Sequence, residues 1–162
     1  MTTKDFKKII LDKLKDILKP RHFKKTGNSF SVLTDDLGYF INLQSSINST
    51  SEILKVTVNI RISSKVIYRL EDVSVPEHFR WHYTERIGQF LNDRQDKWWE
   101  IKNNEEAIKT AEEISVMIND KILPLFNQLK TTSDLVNLWK QGTNMGLSLN
   151  KAQEYLLLLG IQ

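Results

Sequence analysis

Between Leu54 and Ile62 the side chains alternate: Val56, Val58, Ile60 and Ile62 are apolar, and Thr57, Asn59 and Arg61 between them are polar. A strand sends successive side chains to opposite faces, so this run is satisfied only within a sheet that buries one face and leaves the other polar. An amphipathic helix would need its apolar residues three and four apart. The segment therefore demands partner strands. Phe23–Leu33 and Tyr39–Ser45 have strand character, and Asp35-Asp36-Leu37-Gly38 between them carries turn residues, which predicts a hairpin. If pairing keeps register, Tyr39, Ile41 and Leu43 join the apolar face, while Asn42 and Gln44 join Asn59 and Arg61 on the polar one.

Around this sheet the patterns are helical. From Thr3 to Lys19, Phe6, Ile10, Leu14 and Ile17 recur at helical spacing until Pro20 stops the run. Asn103 with Glu106 forms a capping pair ahead of Ile108, Ala111, Ile114, Ile118 and Ile122, and Pro124 predicts a kink or restart. Thr132 or Ser133 is expected to cap a helix over Asp134–Gln141, and Ser148 one over Leu149–Leu159 that ends at Gly160. Residues 63–74 read as irregular, His82–Leu91 as a fourth strand or a short helix, and Lys97–Ile101 as a short strand. This order, one helix, then four to five antiparallel strands, then three to four helices, is that of an α+β fold. A length of 162 residues fits one domain over 1–162, with a core at 4–130 and a helical extension at 131–162.

Composition narrows the function classes. The chain has no cysteine, which excludes disulfides and thiolate metal sites and makes a reducing cytoplasm the expected location. Neither a signal peptide nor an apolar run near the roughly 20 residues of a membrane span is legible, so no membrane association is expected. The net charge of +3 is uneven: residues 1–25 carry nine Lys or Arg against three Asp. A lysine-rich first helix could bind nucleic acid, but Asp5, Asp12 and Asp16 flank the arc of Lys4, Lys8, Lys15 and Lys19, and an ion-paired solvated face is preferred.

Phosphate-binding glycine loops and the nucleophile elbow are absent from the sequence. His78 and His82, with Glu77 or Glu85, have the spacing of a metal pair only if that stretch is helical. Asp96, Glu100 and Lys102 echo the D…E-x-K pattern of metal-dependent nucleases, in which carboxylates hold a cation and lysine polarises the attacking water. Acidic-x-Lys triplets occur twice in the sequence, at Asp5 and Glu100, as often as chance predicts. Trp98 and Trp99 adjoin on a strand and must face opposite ways, so at least one of them leaves the main core.

Several pieces in order, Leu18-Lys19-Pro20, His22 to Phe30, Ile41 to Ser45, Arg86-Ile87-Gly88 and Lys97-Trp98-Trp99, resemble a bacterial family catalogued as domain of unknown function 4304. The resemblance spans residues 4–130. It implies a curved antiparallel sheet with helices, brings no established activity, and draws attention to Gln44, Ser45, Arg86 and the tryptophan pair, which coincide with recurring positions. The expectation from residues and resemblance together is a non-catalytic binding module, of the kind that serves as an immunity or defence accessory. Its expected site is the polar sheet face at Asn42, Gln44, Asn59 and Arg61 with Arg86, Trp98 and Trp99. Its expected partner is another protein ahead of nucleic acid, and no cofactor is implied.

Overall fold

The structure, a computed structural model, describes residues 1–71 and 81–161. Helix α1 (Thr3–Leu18) opens on a capping box, in which the Thr2 hydroxyl accepts from the Asp5 N–H and the Asp5 carboxylate accepts from the Thr2 N–H. It buries Phe6, Ile10, Leu11, Leu14 and Leu18. Strands β1 (Lys24–Thr26), β2 (Ser29–Leu33), β3 (Leu37–Ser45) and β4 (Leu54–Ser64) follow as an antiparallel meander. After α2 (Lys65–Leu70) come β5 (Tyr83–Arg86) and β6 (Trp99–Ile101). Both pair antiparallel with β4, β5 along Asn59–Ile62 and β6 along Leu54–Val56. The sheet thus has six strands in the order β1-β2-β3-β4-β5, with β6 beside β4. It is followed by α3 (Asn104–Met117), α4 (Leu123–Gln128), α5 (Thr132–Gln141) and α6 (Leu149–Leu158). This is the α+β order that the patterns predict.

The extra strand comes from the first extended segment. Phe23–Leu33 is not continuous: Gly27 adopts φ +60°, and the chain folds back so that Lys25 opposes Phe30. Only glycine takes this left-handed conformation at no steric cost. Residues 65–70 were expected to be irregular and are helical, because the Ser64 hydroxyl accepts the Ile67 N–H at 3.2 Å and Ile67 is fully buried. The stretch read as strand or helix is both in turn, since a 3-10 turn over Ile87–Phe90 succeeds β5. In α3 the buried stripe starts at Ala107, and Ile108 is 48 % exposed. A π-type turn over Ile118–Ile122, in which the Leu123 N–H donates to the Ile118 carbonyl five residues back, runs directly into α4, and this local change of hydrogen-bond pattern precedes Pro124, which has no N–H to donate. The cap of α5 is Thr131, not Thr132 or Ser133: its hydroxyl accepts from the Asp134 N–H at 3.2 Å. Thr132 is spent elsewhere, on Asp36.

Register divides the sheet as the alternation requires. Tyr39, Ile41 and Leu43 oppose Ile62, Ile60 and Val58 on the inner face. The Tyr39 hydroxyl donates to the Leu129 carbonyl at 2.7 Å, and its ring lies 4.8 Å from Phe126, which places α4 against this side. The buried apolar side chains form a cluster that reaches from Phe6 in α1 to Tyr155 in α6. No helix among the described residues is long and apolar enough to cross a membrane.

Candidate functional site

The outer face of the sheet is built in cross-strand rows. Ser29 opposes Asn42, Asn42 opposes Asn59, and Asn59 opposes Arg86, so one polar row crosses four strands. Two residues along, Ser31, Phe40, Arg61 and Thr84 form the next row, and Gln44 opposes Thr57 on the other side. Side chains directly opposite or diagonal to one another across antiparallel strands sit close enough to bond, and the amides of this face do. Asn59 Nδ2 donates to Gln44 Oε1 at 2.8 Å and to Asn42 Oδ1 at 3.2 Å, and Asn42 Nδ2 donates to Ser29 Oγ at 2.9 Å. With both Nδ2 hydrogens spent inside the ladder, Asn59 is 6 % exposed, whereas Ser29, Asn42 and Gln44 are half-buried. Thr57, fully buried, donates its hydroxyl to the Lys97 carbonyl at 2.7 Å and ties this face to the segment leading into β6.

Two arginine–tryptophan pairs stand on this face. Arg86 lies over the ring of Trp98, its guanidinium carbon 5.1 Å from the centroid, and Asp96 Oδ2 accepts from both Arg86 Nη1 at 2.6 Å and Trp98 Nε1 at 3.0 Å. Arg61 lies over Trp81 at the same 5.1 Å, and Phe40 meets the Trp81 ring edge-on at 4.7 Å. The second pair has no acid: no carboxylate among the described residues ion-pairs with Arg61, and its Nε is buried without a hydrogen-bond partner. Burial pulls the Arg61 guanidinium below its usual basicity. Beside Phe40, a hollow of about 300 Å³ is lined by Gly38 and Ser63 of the sheet and by Lys65, Tyr68 and Arg69 of α2.

Of the seven residues proposed from sequence, Asn42, Gln44, Asn59, Arg61, Arg86 and Trp98 share this face. Trp99 does not. It opposes Val56 on the inner side, is 7 % exposed, and donates its indole N–H to Glu113 of α3 at 2.7 Å. Sequence reasoning missed Phe40 and Trp81 as neighbours of Arg61. Phe40 was legible in the same alternating phase as Asn42 and Gln44; Trp81 precedes β5 and carries no periodic signal.

The nuclease-like trio does not form a cation site. Asp96 is engaged by Arg86 and Trp98, Glu100 lies 3.9 Å from Lys55, and the Lys102 backbone N–H donates to Glu106. Among the described residues no group of three His, Asp or Glu side chains could hold a metal ion. His78 and Glu77 lie outside the described residues. His82 is fully buried: its Nδ1 accepts the Ser64 N–H at 2.7 Å, which leaves the hydrogen on Nε2, directed at Glu71. His82 thus fixes both ends of α2, with its ring edge-on to Tyr155 at 5.0 Å. On α1, Lys8 pairs with Asp12 and Lys13 with Glu112 of α3, so part of the lysine face is neutralised within the chain.

No curated protein and no solved structure matches the chain. The family model described as Domain of unknown function (DUF4304) matches residues 14–128, from within α1 to the end of α4, so the sheet and its outer face fall inside the match and α5 and α6 beyond it. On that match, the chain belongs to the DUF4304 family.

Proposed function

We propose that the chain is a binding module that docks a partner protein on the outer face of its sheet. The observation that carries this reading is the row Ser29–Asn42–Asn59–Arg86: polar side chains from four strands meet on one face, where the amide ladder holds Ser29, Asn42 and Asn59 and Asp96 holds Arg86 before any partner arrives. Preorganised polar groups lose little conformational entropy on binding. The aromatic and arginine side chains beside the row are the types enriched where protein interfaces concentrate their energy. Charge supports a protein over nucleic acid. Arg86 is answered by Asp96 and Lys55 by Glu100, and Arg61, without an acid among the described residues, is too little positive charge for the several phosphates that a nucleic-acid backbone presents.

The test is to select peptides from a random display library on the immobilised full chain and map their binding by NMR. They should shift the side-chain amide signals of Asn42, Gln44 and Asn59, and the Asn42→Lys chain should bind them at least tenfold more weakly. Selected peptides that leave those signals unmoved and bind Asn42→Lys equally well would refute the reading.

A further inference from the structure

We infer that the anchor of this surface is a carboxylate subsite at Arg61 and Trp81, filled by an Asp or Glu side chain of the docked protein. The inference rests on the docking reading above, and its template lies on the same sheet. At Arg86 the chain supplies all three parts of a small assembly: a guanidinium stacked on an indole, and one carboxylate oxygen that accepts from both. At Arg61 two of the parts recur, with the guanidinium at the same 5.1 Å from the Trp81 ring. The third is missing among the described residues. Trp81 Nε1 has no acceptor there, and of the guanidinium nitrogens only Nε is both buried and unpartnered, so the Nη groups keep access to solvent.

The local setting favours an anion. Arg61 sits between Phe40 and Thr84 in its row, and Trp81 and Phe40 wall one side with aromatic rings. A guanidinium that has already lost part of its hydration has less water to shed when a carboxylate arrives, and the resulting charge-assisted bonds are stronger than neutral ones. Arginine also matches a carboxylate with two parallel donors, which a lysine at this position would not.

The experiment titrates the full chain with an acetylated tetraglutamate peptide, with its tetraglutamine counterpart and with inorganic phosphate, following the Arg61 Nε–H and Trp81 Nε1–H signals. The glutamate peptide should shift both saturably and the glutamine peptide neither. Arg61→Gln should weaken binding at least tenfold, and Trp81→Phe, which keeps an aromatic face and removes the indole N–H, about three- to tenfold, with backbone spectra showing both variants folded. Equal binding by Arg61→Gln, no shift in the unaltered chain, or a shift with phosphate alone would overturn the carboxylate subsite. If library-selected peptides still move the Asn42 and Asn59 signals while Arg61 and Trp81 stay silent, the subsite fails and the docking face stands. If no peptide moves any outer-face signal, both fail.

Discussion

Asn59 shows how one residue sets the chemistry of a surface. Its amide nitrogen gives both hydrogens to neighbours, one to Asn42 and one to Gln44, and it thereby fixes which way those two amides turn. Gln44 accepts through oxygen and so turns its amino group away from the ladder; Asn42 accepts through oxygen and passes a hydrogen to Ser29. Asn59→Ala removes the hub and leaves two half-buried acceptors unanswered. Unfolding in urea should show a loss of about 1–2 kcal/mol, the cost typical of stranded polar groups in a part-buried site. Amide signals of Asn42 and Gln44 should broaden at the same time. An unchanged midpoint with unchanged signals would mean that the ladder is not fixed by Asn59.

Among the elements, α5 depends most visibly on its first turn. Thr131 and Asp134 form a capping box, and the Asp134 carboxylate also accepts the Lys130 N–H at 2.8 Å. These bonds favour the charged form, and the backbone bond from Lys130 contributes most to holding the Asp134 carboxyl below its usual 3.8. Because the folded value lies below the unfolded one, the stabilisation is complete above the unfolded value and disappears as pH falls through the folded one. Asp134→Asn should therefore be less stable than the unaltered chain at pH 7, and the two should converge in strong acid. A gap that stayed constant with pH would assign the effect to something other than the carboxylate's charge.

At the scale of the whole molecule, α5 is joined to the sheet by a directed chain of hydrogen bonds. The Ile67 N–H donates to Ser64 Oγ, which donates to Thr132 Oγ1, which donates to Asp36 Oδ1; the direction follows because a carboxylate can only accept. The Thr132 N–H adds a second bond to Asp36 at 2.7 Å. The end of β4, the turn before β3 and the start of α5 meet at this point, and Ser64 there is fully buried. Thr132→Val keeps the shape and breaks the relay. Its expected cost of about 2 kcal/mol corresponds to a fall in Tm of roughly 4–8 °C for a chain of this size, measurable by calorimetry. No change in Tm would show that the relay contributes nothing to docking α5.

The partition of β4 into an apolar and a polar face was settled by the sequence alone, because alternation of side chains follows from strand geometry whatever lies alongside. The same holds for the caps at Asn103 and Ser148, whose bonds reach only three residues. Other features needed the assembled chain. That Trp98 and Trp99 separate was legible, but which of them faces outward depends on the pairing of β6 with β4. Thr132 looked like a helix cap until Asp36, 96 residues away, claimed its hydroxyl. The contrast between the two arginines is of the same kind: a loop carries Asp96 to Arg86, whereas the described residues bring no acid to Arg61. Local backbone geometry decides which way a side chain points, and only register and the paths of the loops decide what it meets there.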